Sequence, residues 1–235
     1  RILKQGSPVV DQDKLVEQYS GAGASGYDDR RRTTARFKSE VAVFERLFDQ
    51  TSPGWVIDCP FGTGRWIDFY LRVEGPVLAV DASEAMLEQA RVKIEAAGAR
   101  IKTVVGSIFD SGMFRRPEAP GDGLIVCIRF LNWVSMPQVS QALDSMATAG
   151  AVRMIVGVSV VPADWSWVKR LAARLKLSAL NLPQMVRGRP TPYVHDEQGI
   201  HDLFAARGWK VMSKEFVFED ACRANYFFLL DTGSR

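Results

Sequence analysis

The sequence predicts an α/β fold: a doubly wound, mostly parallel seven-stranded sheet that ends in an antiparallel C-terminal hairpin. Three observations predict it. Short apolar runs alternate with helical patterns between residues 37 and 158. Those runs are continuous rather than alternating, so both faces of each strand should be buried, as in a parallel sheet covered by helices. The last two extended segments are joined by the turn-like stretch Glu219-Asp220-Ala221-Cys222, which fits a hairpin at one end of the sheet.

The elements follow in order. Phe37, Val41, Phe44 and Phe48 fall at i, i+4, i+7 and i+11, one face of a helix over 37–48. Trp55-Val56-Ile57 is a strand ending in Asp58. Arg65 to Arg72 reads as a helix with Trp66, Phe69 and Tyr70 on one side. Val77-Leu78-Ala79-Val80 is the second strand and ends in Asp81. Ser83 then caps a helix that carries Glu84 in its first turn and stops at Gly98. Ile101 to Val105 and Leu124 to Ile128 are the third and fourth strands. Pro137 opens a helix whose Val139, Ala142, Leu143 and Met146 share a face, and Gly150 ends it. Met154 to Val158 is the fifth strand. Gln198 to Ala206 is a helix, and Trp209 to Phe218 and Asn225 to Leu230 form the hairpin.

Length and composition narrow the class. A chain of 235 residues exceeds one minimal domain and falls short of two, so one domain with a lid or insertion is expected. Hydrophobic residues at 47% and charged residues at 24% exclude disorder, collagen and a disulfide scaffold. Cys59, Cys127 and Cys222 are dispersed, with no C-x-x-C pair. That pattern predicts reduced thiols in a cytoplasmic setting and no structural metal site. No apolar run approaches the ~20 residues of a membrane-spanning helix. Residues 153–235 carry twelve basic and eight acidic groups, a net of +4, against −2 for residues 51–152. This is weaker than the basic stripe of a nucleic-acid binder and leaves room for a small anionic substrate.

The informative stretch is Asp58-Cys59-Pro60-Phe61-Gly62-Thr63-Gly64-Arg65, where a buried strand meets a glycine turn and then a helix. Gly62 and Gly64 let backbone N–H groups approach a ligand, and the helix start adds free donors. Asp81, at the end of the second strand, is placed to accept hydrogen bonds from both hydroxyls of a ribose, or else to cap the next helix. A nicotinamide fingerprint needs a third glycine where Ile67 stands, and a phosphate-binding G-x-x-x-x-G-K-[ST] run is absent. A nucleoside ligand without a pyrophosphate remains.

On these residues the chain resembles the class I S-adenosylmethionine-dependent methyltransferases. Asp58 to Gly64 is similar to the family's first motif, D-x-G-x-G-x-G, in the D-x-P-x-G-T-G-R variety found among bacterial small-molecule enzymes. Val80-Asp81-Ala82-Ser83-Glu84-Ala85-Met86-Leu87 looks like the second motif, and Val105 to Asp110 like the third. Two departures stand out: Pro60 replaces a glycine, removing an N–H, and Ser107 replaces the usual acid at the adenine. The resemblance implies S-adenosyl-L-methionine as cofactor, S-adenosyl-L-homocysteine as product, and a Rossmann-like methyltransferase fold. It implies that Asp58 approaches the methionine amino group and that Gly62 and Gly64 pass close to the methionine part. Asp81 would hold the ribose, Ala82 and Met86 would flank the adenine, and Ser107 and Ile108 would line its edge. Pro60, Thr63 and Arg129 complete the expected cofactor contacts. Core packing is the competing reading of Met86, and an ion pair that of Arg129.

Two regions are candidates for the acceptor. Arg129-Phe130-Leu131-Asn132-Trp133 follows the fourth strand, where Asn132 could orient an acceptor and Trp133 could form a wall. The [ND]-P-P-[YF] motif common in enzymes that methylate nucleobase or amide nitrogen is missing there, which argues against nucleic-acid bases; an oxygen acceptor is expected over nitrogen or carbon. Leu180 to His195 contains Arg187, Arg189, Tyr193 and His195. The arginines could hold an anionic acceptor, and His195 could serve as a base or simply cap the following helix. Residues 1–36, with Gly21, Gly23 and Gly26, are expected to form an arm or lid whose Tyr27 and Arg36 reach the cofactor. Residues 37–235 would then be the methyltransferase domain, with a substrate-cap insertion at about 161–197. An RNA or protein acceptor, and a cofactor-binding scaffold without catalysis, are the alternatives.

Overall fold

The structure, a computed structural model, describes residues 34–232. Most of the expected arm, including Tyr27, lies outside those residues. The strands are β1 (Trp55–Asp58), β2 (Val77–Asp81), β3 (Ile101–Val105), β4 (Gly123–Cys127), β5 (Arg153–Val161), β6 (His195–Asp196), β7 (Lys210–Glu219) and β8 (Ala224–Asp231). The α-helices are α1 (Ala35–Phe48), α2 (Ile67–Tyr70), α3 (Glu84–Ala96), α4 (Met136–Ala147), α5 (Trp167–Val186) and α6 (Glu197–Ala205).

Seven strands run in the order β3-β2-β1-β4-β5-β8-β7, parallel as far as β5, with β8 antiparallel between β5 and β7. The two-residue β6 adds to this sheet by pairing with Val160 and Val161 of β5, a strand absent from the sequence reading. Successive residues of each central strand feed two separate cores, as the pleat requires. Trp55, Ile57, Ile125, Cys127 and Met154 pack with Val139 and Leu143 of α4 and Phe204 of α6. Val56, Leu124, Val126 and Ile155 pack with Phe44 and Leu47 of α1 and Leu87 of α3. Gly123 starts β4 because a Cβ at that point would run into the Trp55 ring.

Polar residues set the helix starts. The Thr34 hydroxyl accepts from Phe37 N at 3.1 Å and the Ser83 hydroxyl from Met86 N at 3.4 Å. Asp196 caps α6 by accepting from Gly199 N at 3.4 Å. Ser135 and Gln138 form a capping box at α4.

Two expectations need correction. The helix expected over 65–72 shrinks to one turn, Ile67–Tyr70. Its aromatic spacing arises because Trp66 stacks on Phe44 at 4.1 Å and Phe69 meets the same ring edge-on at 5.0 Å. Edge strand β3 is not buried on both faces, and Val105 is exposed. Most of the interval 161–197 is the twenty-residue helix α5, which runs through Pro183. Cys59, Cys127 and Cys222 are buried and unbonded.

Candidate functional site

Chain direction across the sheet reverses between β1 and β4. From β1 the chain moves outward to β2 and β3, and from β4 outward to β5. The crevice at such a switch point, beyond the carboxyl ends of the strands, is where open α/β sheets receive ligands. Asp58 and Asp81 end the two strands at its edge.

The turn after β1 is held at several points. Cys59 N donates to Val126 O of β4 and Phe61 N to Val80 O of β2, each at 2.9 Å. Gly62 N donates to Asp81 Oδ2 at 2.7 Å, while Ser83 N donates to Oδ1 at 2.8 Å. Lys93 Nζ reaches back from α3 to Thr63 O at 2.7 Å. Gly62 and Gly64 have φ of 61° and 77°, in the left-handed region that favours glycine. A Cβ built on Gly62 would meet nothing within 4 Å, so the turn borders open space.

Asp58 and Asp81 are both buried. Asp58 accepts from the Tyr70 hydroxyl at 2.8 Å, and Asp81 from backbone amides only. Neither carboxylate has an ion-pair partner among the described residues. Burial pushes the Asp58 pKa well above the usual carboxylate range; the Tyr70 hydrogen bond opposes this and the Asp81 charge adds to it. Burial also raises Asp81, against the amides of Ser83, Gly62 and Ala82, which favour its charged form. Two coupled buried acids without a counter-charge favour a ligand that brings a cation and hydrogen-bond donors. Each carboxylate oxygen can accept more than one hydrogen bond, so the amides leave Asp81 able to take two donors.

A second cluster braces this turn from α1. Glu40, buried, accepts from Arg36 Nε at 3.0 Å, from Arg129 Nη1 at 3.4 Å and from Arg65 Nη1. Arg65 directly follows Gly64, and Arg129, with φ of 69°, leaves β4. One carboxylate thus ties the glycine turn to the β4 loop. Arg36 and Arg129, expected at the cofactor, both point their guanidinium groups at Glu40.

The acceptor candidates after β4 come together with those before α6. Leu131–Trp133 forms a short 3-10 turn. Tyr193 N donates to Asn132 O, and His195 Nε2 donates to Leu131 O, each at 2.7 Å. The Tyr193 and His195 rings lie parallel with centroids 6.3 Å apart. Asp196, not His195, caps α6. The Leu131 bond fixes the neutral tautomer, leaving the lone pair on Nδ1. Burial lowers the His195 pKa, and the bond to Leu131 opposes that. Unfolding frees this imidazole to take a proton, so the unfolded state binds more protons between the lowered pKa and about 6.5. Stability should therefore fall as pH drops through that window. Thermal melts of wild type and His195→Gln from pH 7 to pH 5 check this: the decline should be shallower in the variant.

The other expected residues are less directly engaged. Ala82 and Pro60 are half-buried near the crevice, Met86 is buried, and Ile108 is buried in the core that holds Ile57 and Ile125. The Ser107 hydroxyl accepts from Phe109 N at 3.1 Å. Arg187 and Arg189 are exposed on the turn after α5. Glu40, Tyr70 and Lys93 were not picked out from the sequence. Glu40 carried a signal, an acid three residues after Phe37 on the apolar face of α1. Among the described residues no group of three His, Cys, Asp or Glu side chains is placed to hold a metal ion.

Residues 56–150 match the family model described as a methyltransferase domain. A comparison with curated protein sequences finds no match. Among solved structures, the chain is similar to magnesium protoporphyrin IX methyltransferase from Synechocystis PCC 6803 with bound S-adenosylhomocysteine. The TM-score is 0.64 at 16% identity, over 94% of this chain and 93% of that one. An S-adenosylmethionine-dependent methyltransferase from Clostridium acetobutylicum ATCC 824 aligns with a TM-score of 0.62 at 12% identity, over 95% and 99% of the two chains. The mitomycin 7-O-methyltransferase MmcR gives 0.57 at 16% identity, over 83% of this chain and 52% of that one. Identities this low establish a shared fold.

Proposed function

We propose that this protein, whose residues 56–150 match a methyltransferase-domain model, binds S-adenosylmethionine at the ends of β1 and β2 and transfers its methyl group to a small-molecule acceptor, at oxygen. The observation that carries the reading is the pair of buried, uncompensated carboxylates beside an open glycine turn. S-adenosylmethionine offers what that pair lacks, an ammonium group and a ribose diol. Asp58 would hold the ammonium and Asp81 the two ribose hydroxyls, with Gly62 and Gly64 leaving room for the methionine chain. Ala82, Ser107 and Ile108 would border the adenine.

Bound there, S-adenosylmethionine would supply a methyl group on a sulfonium centre, with S-adenosylhomocysteine as the leaving product. This chain's task is then to hold the acceptor in line and exclude water, since direct displacement needs reacting atoms about 3–3.5 Å apart. The Asn132 side chain is half-buried and makes no hydrogen bond among the described residues, so it is free to orient a hydroxyl. His195, neutral with its lone pair on Nδ1, is the candidate base. Trp133 and Tyr193 would wall the acceptor. Residues 161–197 would act as a cap. The absence of [ND]-P-P-[YF] after β4 argues against a nucleobase acceptor.

The test is release of S-adenosylhomocysteine from S-adenosylmethionine in the presence of small hydroxylated compounds, with RNA and protein as parallel acceptors. Acceptor-dependent release by a small hydroxyl compound, reduced in Asn132→Ala, is expected. Release supported only by RNA or protein would contradict the acceptor class.

A further inference from the structure

α5 packs on the rest of the chain by one narrow face. Arg170, Ala173, Leu177, Asn181 and Gln184 recur at helical spacing and are buried or half-buried. The opposite face is apolar and exposed. Val168, Leu171, Leu175, Leu182 and Val186 recur at i, i+3, i+7, i+14 and i+18, and are between 50% and 79% exposed. Trp167, at the first turn, is 76% exposed. A continuous apolar stripe on a surface helix marks a contact with something outside the chain.

Charge says what that something is. Between Trp165 and His195 there are six cationic residues and no acidic one. Lys169 is taken by Glu219 at 2.9 Å, and Arg170 and Arg174 by Asp196 at 2.8 and 3.8 Å. Lys176, Arg187 and Arg189 have no anionic partner among the described residues. On a helical projection Lys176 and Arg187 lie together along one side of the apolar stripe, where long side chains can reach toward its border. A second copy of the chain laid on this stripe would set these cations against one another. Residues 1–33 carry six basic and five acidic groups, a net of +1, so as a whole they do not neutralise these cations. No helix among the described residues is long and apolar enough to cross a membrane. An amphipathic helix with a basic border and tryptophan at its start has the composition of one that lies in the plane of a bilayer surface.

We propose that the outer face of α5 docks on an anionic lipid surface, with the stripe from Val168 to Val186 inserted among the acyl chains and Lys176 and Arg187 at the headgroups. Docking involves neither Asp58 nor Asp81, so it stands or falls independently of cofactor binding.

Co-sedimentation of the full chain with vesicles tests it, using an equimolar mixture of phosphatidylglycerol and phosphatidylcholine against pure phosphatidylcholine. The chain should sediment with the mixed vesicles at low salt, much less with the neutral ones, and less again at high salt. Each cation near an anionic surface is worth roughly fivefold, so Lys176→Glu/Arg187→Glu should weaken binding at least ~25-fold. Leu175→Gln/Leu182→Gln should weaken it roughly tenfold or more at unchanged charge. All four positions are exposed, so the variants should melt like wild type. Absence of sedimentation with anionic vesicles overturns the proposal, as does binding that neither double variant reduces. Light scattering that finds a dimer, split to monomers by Leu175→Gln/Leu182→Gln, also overturns it and assigns the face to a second copy.

Discussion

Replacing Glu40 with alanine is expected to lower the melting temperature by roughly 10 °C, the shift that follows from a loss of about 3–5 kcal/mol in a chain of this size. The magnitude rests on what the substitution leaves behind. Arg36 and Arg129 are 41% and 25% exposed and can turn toward water. Arg65 is 9% exposed and cannot, so its charge stays buried without a partner. Removing both ends should therefore cost less than removing one: Glu40→Ala/Arg65→Leu should melt above Glu40→Ala alone. Differential scanning calorimetry of the three proteins checks the order. A double variant that melts lower than the single one would mean that Arg65 stabilises the fold through other contacts. Because Glu40 ties Arg65 and Arg129 together, its loss should also loosen the glycine turn and weaken ligand binding there.

Asp81→Ala is expected to weaken S-adenosylhomocysteine binding by about a hundredfold or more, since two hydrogen bonds to one charged group are lost at once. The same change also removes the acceptor that orients Gly62 N and Ser83 N. Titration calorimetry measures the affinity, and a melting curve for the variant separates lost contacts from lost folding. If Asp81→Ala stays folded and binds the ligand as well as wild type, the ribose assignment is wrong.

Most of the sheet was legible because its strands are buried on both faces. Val56, Leu124 and Val126 face one core while Ile57, Ile125 and Cys127 face the other, so each strand reads as an unbroken apolar run. Asp58 and Asp81 were legible as strand-end acids for the same reason: a charge that ends an apolar run stands at the edge of the sheet. What was missed depends on contacts distant in sequence. The stack of Trp66 and Phe69 on Phe44 imitates a helical period over 65–72, although the residues from Gly62 to Trp66 are held as turns. Glu40 lies 25 residues from Arg65 and 89 from Arg129, and no local pattern pairs them. Helix α5 is not legible because Pro183 interrupts its pattern, and because its apolar stripe faces outward rather than into either core.

In the proposed function the buried acids at the ends of β1 and β2 receive a cationic nucleoside. Calorimetric titration of the wild-type protein with S-adenosylmethionine at several pH values tests it most directly. A cation binds the ionised form of Asp58, whose pKa burial has raised, so affinity should weaken as pH falls through that raised range. Expected is one-to-one binding that is tightest near neutral pH, where the ligand's ammonium is still protonated, and is progressively lost toward acid. No binding at millimolar ligand, or an affinity unchanged in Asp58→Asn and Asp81→Ala, would contradict it.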